Sequence, residues 1–155
     1  MKLLLLYALL CCSAFANTFT GRIVGVHDGD TLTLLTAEKV EVKVRLWGID
    51  APETGQAFGK NSKESLSDLA FKKDASVEEK GKDRYGRVIG VVTVEGKDVN
   101  LVQVEKGMAW WYRDYAKKAA DLEKAEATAR TKKLGLWAEK DPVPPWLWRK
   151  EKKQK

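Results

Sequence analysis

Residues 40–47 alternate between apolar and charged side chains, and this alternation is the sequence feature that most limits how the chain can fold. A period of two predicts a β-strand with one buried face and one exposed face. The pattern ends before Gly48, and the residues that follow it (IDAPE, 49–53) place two carboxylates around a rigid proline. A loop with acidic side chains should therefore leave the end of a half-buried strand. The apolar face of the strand consists of Val40, Val42, Val44 and Leu46.

Four other segments have the composition of strands, and three have the spacing of amphipathic helices. The strands are predicted at residues 19–26, 31–35, 75–80 and 88–94. The helices are predicted from residue 59 or 61 to 72, at 99–106 and at 116–133, with Gly107 and Gly135 ending the last two. Five strands with a helix after the third predict a mainly β, α+β fold: a five-stranded OB-fold barrel with about three packed helices.

The turn between the second and third predicted strands determines which residues face each other. If this turn centres between Ala37 and Glu38, the numbers of opposed residues sum to about 75. In that register Asp30 lies across from Arg45, and the loop after the third strand brings its carboxylates towards Asp30. Antiparallel pairing thus predicts that acidic and basic residues distant in sequence meet at one end of the barrel.

The two ends of the chain differ in composition from the rest. Residues 1–16 combine a basic second residue, an apolar run too short to span a bilayer and the sequence AFA, which together predict a signal peptide cleaved before Asn17. An ordinary N-terminal hydrophobic helix is the alternative. The OB-fold domain is assigned to residues 17–140, and residues 141–155 to a Pro/Trp-containing segment and a basic tail that is disordered from Arg149 onwards. We expect a secreted or periplasmic monomer with no membrane contact once the signal is removed.

Composition narrows the chemistry that the domain can carry out. Both cysteines lie in the predicted signal peptide, so the mature chain would have no disulfide and no thiolate metal site. His27 is the only histidine, which excludes a two-histidine acid–base mechanism and a multi-histidine zinc site. Without Lys2, the 28 basic residues of the chain fall to 27 against 22 acidic ones, and this excess of positive charge favours a polyanionic partner.

Three short segments supply the groups that phosphodiester hydrolysis requires: DGDT (28–31), RLWGIDAPE (45–53) and DRYGR (83–87). Because a phosphodiester is anionic, its cleavage needs a cation, a base that activates water, and donors for the charge that develops. Asp30 and Asp50 are hard oxygen ligands that suit Ca²⁺, and the backbone carbonyl of Ala51 is a candidate for a further ligand. Asp28 is either a turn former or an additional ligand.

The remaining candidates are assigned from the chemistry of their side chains. Glu53 is placed to hold or deprotonate a water molecule. The planar guanidinium groups of Arg45 and Arg87 can each donate paired hydrogen bonds to phosphate oxygens, which lysine cannot do. Arg84 and Tyr85 are candidates for holding a neighbouring phosphate, and either Tyr112 or Tyr115 for packing on a base or sugar. Packing is the alternative role for Tyr85, and a core position is favoured for the tryptophans at 47, 110, 111 and 137.

The three segments closely resemble those of the thermonuclease (staphylococcal-nuclease-like) family, and the resemblance extends over residues 18–139. It implies a five-stranded OB barrel with three helices. It also implies Ca²⁺-dependent endonuclease activity on DNA and RNA that leaves 3′-phosphate ends. By motif position, Asp30 and Asp50 resemble the metal carboxylates of the family, Ala51 its carbonyl ligand, Glu53 its water-activating carboxylate, and Arg45 and Arg87 its catalytic arginines.

A non-catalytic OB-fold module that binds nucleic acid or protein is the alternative function, because a fold alone does not define an activity. Such a module does not need the five charged residues assigned to catalysis and metal binding, which are Asp30, Arg45, Asp50, Glu53 and Arg87. Their joint presence therefore favours the enzyme. Two departures from the family pattern bear on its properties: Ala51 stands where the family often has threonine, and the chain after Glu53 is shorter than in the best-known member.

Overall fold

The structure is a computed structural model that describes residues 17–154 of the chain. Its strands are β1 (Thr18–Val26), β2 (Thr31–Leu35), β3 (Glu41–Leu46), β4 (Ile49–Asp50), β5 (Asp74–Lys82), β6 (Val88–Val94), β7 (Lys97–Asp98) and β8 (Trp110–Trp111). Its helices are α1 (Gly59–Ala70), α2 (Val99–Glu105), α3 (Ala120–Thr131) and α4 (Pro145–Lys152), with a 3₁₀ turn at Gly135–Ala138. The predicted signal peptide lies outside the described residues.

Five of these strands form a closed barrel. β1 pairs antiparallel with β2 and β5, β2 pairs with β3, and β5 pairs with β6. The parallel pairing of β3 with β6 closes the cylinder. Register shifts after Ile23 in β1 and after Glu79 in β5 add the local bending that closure needs. The predicted α+β OB-fold barrel is therefore confirmed, and it carries four helices where about three were expected.

The predicted register of the β2–β3 hairpin is wrong by one residue. Thr31, and not Asp30, pairs with Arg45. The cause lies in the turn, where the amide of Thr36 donates a 3.0 Å hydrogen bond to the carbonyl of Val40 and Lys39 adopts a left-handed φ of 63°. These features define a three-residue loop, residues 37–39, which is centred on residue 38. The predicted turn was centred between residues 37 and 38, so each residue of β3 pairs one position away from its predicted partner.

The core of the barrel is built from the alternating apolar positions of the strands. Val44 and Leu46 are buried as the sequence pattern predicts, whereas Val40 lies in the turn and is 55% exposed. Burial of each such side chain contributes roughly 1.5–3 kcal/mol. The apolar faces of the helices contribute Leu66 and Ala70 of α1 and Leu122 and Ala125 of α3 to the core, whereas Ala129 of α3 packs in a second cluster with Trp110, Leu136 and Trp137. The tryptophans at 110, 111 and 137 are buried, and Trp47 packs against the core.

The third helix is shorter than its periodicity predicts. It begins at Ala120, because residues 112–119 form successive turns that the amides of Ala116 and Ala119 close. It ends at Thr131, and the left-handed residue beyond it is Lys133, with a φ of 52°. Gly135 instead opens the 3₁₀ turn, where its φ is 54°.

The C-terminal segment is helical where the composition predicted a disordered tail from Arg149. Pro145 stands at the first position of α4, where its missing N–H costs no hydrogen bond, and it is buried. Trp146 packs edge-on against Trp110, with 5.5 Å between ring centroids. These contacts hold the short basic helix against β8 and the cluster of Trp110, Leu136 and Trp137. Within residues 17–154, no helix has both the length and the apolar character needed to cross a bilayer.

Candidate active site

Arg45 lies between the carboxylates of Asp30 and Asp50. Its guanidinium forms an ion pair with Asp30, and its Nη2 donates a 2.7 Å hydrogen bond to Oδ1 of Asp50. Asp50 is fully buried and Asp30 is 5% exposed. Because buried charges are costly unless they are paired, the arginine and the two carboxylates stabilise one another as a unit. The structure thus brings together three predicted site residues from two separate segments.

Local geometry directs both carboxylates to the same place. The amide of Leu46 donates a 2.8 Å hydrogen bond to the carbonyl of Asp30, which holds the start of β2 beside the end of β3. Gly48 then turns the chain with a φ of 76°, a conformation that favours glycine. The amide of Ala51 donates a 2.6 Å hydrogen bond to Oδ2 of Asp30. The loop after β4 is therefore fastened to the loop before β2.

Asp28 forms the turn that leads into Asp30. Its Oδ1 accepts a 3.0 Å hydrogen bond from the amide of Asp30, which is the geometry expected of an aspartate in a turn. Burial, together with the negative charge of Asp30, raises the pKa of Asp28 to about 7. A cation bound at Asp30 would favour the ionised form of Asp28.

Arg87 reaches the same cluster from the third segment. Its Nε pairs with Oδ2 of Asp83 at 2.6 Å, and its backbone amide donates a 3.0 Å hydrogen bond to the other oxygen of that carboxylate. Its Nη1 lies 3.4 Å from the hydroxyl of Thr31, which in turn donates a 3.1 Å hydrogen bond to Oδ1 of Asp30. Asp83 orients the guanidinium, whose side chain remains 28% exposed and free to contact an anion.

Glu53 lies beside Asp50 at the edge of the cluster. A single nitrogen, Nη1 of Arg149, is within 3.1 Å of Oδ1 of Asp50 and 2.6 Å of Oε1 of Glu53. The backbone amide of Glu53 donates a 3.0 Å hydrogen bond to the side-chain oxygen of Gln56, which shapes the loop after Pro52. The glutamate side chain is 36% exposed, so it contacts solvent as well as Arg149.

The predicted substrate-binding residues form two groups. Arg84 and Tyr85 lie on the exposed turn before β6, where Nη2 of Arg84 donates a 2.6 Å hydrogen bond to the Tyr85 hydroxyl and the tyrosine is 69% exposed. Tyr112 and Tyr115 lie together beyond β8, with 4.7 Å between ring centroids. Burial and the charge of Asp50 raise the pKa of Tyr112. Tyr115 is 71% exposed.

Two polar residues of α2 support the site and were not singled out from the sequence. Gln103 is fully buried, and its Nε2 donates hydrogen bonds to the carbonyls of Gly29 at 2.8 Å and Ser62 at 3.1 Å. Asn100 donates to the carbonyls of Trp47 and Gly90 at 2.9 and 3.1 Å, and accepts from the amide of Val92 at 3.1 Å. Asn100 and Gln103 stand three residues apart in a helix whose other residues before Glu105 are apolar, and that spacing was the available signal.

The chemistry of the donor set fits a hard divalent cation. Asp30 and Asp50 offer carboxylate oxygens, and burial raises the pKa of Asp50 although Arg149 and Arg45 oppose that effect. The ionised carboxylates therefore require positive charge close by. Within residues 17–154, no three side chains of His, Cys, Asp or Glu form a group that could hold a metal ion by themselves. A bound cation would thus depend on two carboxylates, backbone oxygen, water and substrate, as hard cations often do.

Comparison with known proteins agrees with this architecture. The profile of the staphylococcal nuclease homologue family matches residues 43–139. The chain is 45% identical over 153 residues to a Haemophilus influenzae protein named "uncharacterized endonuclease", covering 98% of this chain and 84% of that protein. It is 41% identical to the micrococcal nuclease of Shigella flexneri, with 87% and 83% of the two chains covered. It is also 42% identical to a staphylococcal-like nuclease of Arabidopsis thaliana, over 72% of this chain and 34% of the plant protein.

The family profile and the related proteins, together with the barrel fold, identify a hydrolytic nuclease built on an OB-fold barrel. The chain belongs to the staphylococcal nuclease homologue family, because the family profile covers more than half of its length and relatives above 40% identity align along most of it.

Proposed function

We propose that this protein is an exported, calcium-dependent endonuclease that hydrolyses DNA and RNA and leaves 3′-phosphate ends. The observation that carries the proposal is the convergence of Asp30, Arg45 and Asp50, with Glu53 and Arg87 beside them. A module that only binds nucleic acid needs basic residues, but it does not need two buried carboxylates that hold an arginine between them. Relatives named as nucleases or endonucleases support the same class of reaction.

Asp30 and Asp50 are the proposed calcium ligands, with the carbonyl of Ala51 as a third. When bound, the cation would neutralise charge on the substrate phosphate and lower the pKa of a coordinated water molecule. Ala51 supplies its carbonyl regardless of its side chain. The hydrogen bond from its amide to Asp30 keeps this backbone segment within the carboxylate cluster.

Glu53 and the two arginines are the proposed catalytic groups. Glu53 removes a proton from the attacking water, whose oxygen forms a new bond to phosphorus while the bond between phosphorus and the 5′ oxygen breaks. The 5′ oxygen takes up a proton, and the phosphate stays on the 3′ oxygen. Arg45 and Arg87 donate hydrogen bonds to the phosphate oxygens as negative charge accumulates. Asp83 holds Arg87 in place for this contact.

Substrate binding is assigned to the exposed groups around the cluster. Arg84 and Tyr85 are proposed to contact a neighbouring phosphate, and Tyr112 or Tyr115 to pack on a base or sugar. Export rests on the sequence of residues 1–16, which has the charge, apolar length and cleavage site of a signal peptide. Its removal would release a basic chain without cysteine into the periplasm or the medium.

The test uses purified protein and end-labelled single-stranded DNA and RNA, incubated with Ca²⁺, with Mg²⁺ and with chelator. We expect cleavage of both substrates in Ca²⁺, none in chelator, and products whose mobility changes after treatment with a 3′-phosphatase. Asp50→Asn should abolish cleavage, whereas Asp68→Asn, on the exposed face of α1, should leave it unchanged. A mobility shift without cleavage in every metal condition would instead identify a non-catalytic binding module.

A further inference from the structure

Arg149 makes the most extensive contact with the carboxylate cluster outside the three sequence segments. Its Nη1 and Nη2 lie 3.1 and 2.8 Å from the two oxygens of Asp50, and Nη1 also lies 2.6 Å from Glu53. Paired hydrogen bonds of this kind between a guanidinium and a carboxylate are stronger than single ones. One cationic group thus holds both a predicted calcium ligand and the predicted base.

This contact engages the oxygen atoms that a bound cation would need. Oδ1 of Asp50 already accepts a hydrogen bond from Arg45 at 2.7 Å, and Arg149 adds a second at that oxygen and one at Oδ2. A carboxylate oxygen has only two lone pairs. A divalent cation would also be repelled by the positive charge of Arg149 at this distance. Arg149 and a divalent cation therefore compete for the same carboxylate.

The rest of α4 is fastened next to the predicted substrate site. The ring of Trp146 stacks on Tyr112, with 5.4 Å between centroids and an angle of 5° between ring planes. Before the helix, the carbonyl of Val143 accepts a 2.6 Å hydrogen bond from Nε2 of Gln56, whose side-chain oxygen binds the amide of Glu53. The C-terminal segment therefore contacts the predicted base loop, a calcium ligand and a tyrosine predicted to bind substrate.

We propose that α4 is an autoinhibitory element, in which Arg149 occupies the cation position and Trp146 covers Tyr112 until a divalent cation displaces them. The proposal rests on the function proposed above, because it assumes that the cation binds at Asp50. It predicts that the carboxylates bind calcium more weakly while Arg149 contacts Asp50 than they would without that contact. It also predicts that loss of the Arg149 side chain strengthens calcium binding.

The experiment measures calcium binding to metal-free protein by isothermal titration calorimetry, without nucleic acid. Arg149→Ala should lower the dissociation constant for Ca²⁺ at least ~10-fold, which corresponds to about 1.4 kcal/mol. Arg149→Lys keeps the charge but not the paired geometry, so its dissociation constant should lie between those of the wild type and Arg149→Ala. Lys150→Ala removes an exposed charge from the same helix and is the matched control, expected to bind as the wild type does.

A second variant protects the test against a folding defect. Trp146→Ala should loosen α4 without changing any group at the carboxylates, and it should also tighten calcium binding. Equal or weaker binding by folded Arg149→Ala, compared with the wild type, would overturn the autoinhibitory role. If neither the wild type nor any variant binds calcium, the proposed calcium site is refuted and the autoinhibitory role is refuted with it. Equal calcium binding by the wild type and Arg149→Ala would refute the autoinhibitory role alone.

Discussion

The amide of Ala51 donates a 2.6 Å hydrogen bond to Oδ2 of Asp30, and this bond joins two loops that are 21 residues apart in sequence. Through it, the turn before β2 and the loop after β4 are joined beside Arg45. The third segment adds Arg87 through Thr31. The candidate site is therefore built mainly by short hydrogen bonds at the ends of barrel strands.

Replacement of Arg87 by alanine should lower turnover far more than it lowers substrate affinity. Its guanidinium is proposed to stabilise charge that develops only in the transition state, and loss of such a donor costs about 10²–10³ in kcat. Steady-state kinetics on a defined oligonucleotide would measure the effect. Arg84→Ala, on the same turn, should mainly raise KM because Arg84 is proposed to bind a neighbouring phosphate. A normal kcat for Arg87→Ala would show that this arginine is a surface charge.

Replacement of Asn100 by alanine should destabilise the fold around the site. Its amide group binds the carbonyls of Trp47 and Gly90 and the amide of Val92, and it is 1% exposed. Since each buried group left without a partner costs about 1–3 kcal/mol, the free energy of unfolding should fall by about 2–4 kcal/mol. Urea denaturation would measure this change. Asn61→Ala, at an exposed position of α1, should change stability by less than about 0.5 kcal/mol, and an equal effect of both would contradict this role.

The five barrel strands, the first two helices and the charged segments could be predicted because they depend on local patterns, whereas the two-residue strands β4, β7 and β8 were not predicted. The hairpin register could not be predicted, since it depends on the left-handed conformation of Lys39, a residue type that does not signal it. A structural role for Gln103 could be predicted from its position in a mainly apolar helix. Its hydrogen bond to the carbonyl of Gly29, which lies 74 residues away, could not be predicted. Arg149 was missed because a basic C-terminal stretch indicates disorder, and its partners lie 96 and 99 residues upstream.

Stability should depend on pH through Glu126. This side chain is 14% exposed, it accepts a 3.2 Å hydrogen bond from the amide of Trp111, and burial raises its pKa above the ordinary value of 4.5. The folded state therefore holds the proton more tightly than the unfolded state. As pH rises from 4.5 through the raised folded pKa, the contribution of Glu126 to the free energy of unfolding should fall, and above that pKa it should stay constant.

The comparison that isolates this effect is Glu126→Gln, which keeps an acceptor for Trp111 and cannot ionise. The free energy of unfolding of the wild type minus that of the variant should decrease with rising pH across this window. Urea denaturation at a series of pH values would measure the difference. A difference that increases with pH for Glu126→Gln would contradict the raised pKa.

The most direct test of the central claim is plasmid cleavage by the wild type, Glu53→Gln and Glu64→Gln, each in Ca²⁺ and in chelator. Glu64 lies on the exposed face of α1 and serves as the matched control. We predict that the wild type and Glu64→Gln cut in Ca²⁺ only. Glu53→Gln should still bind DNA but cut about 10²–10⁴ times more slowly, as expected for loss of a base. Cleavage by Glu53→Gln at the wild-type rate, or cleavage by the wild type in chelator, would contradict the account.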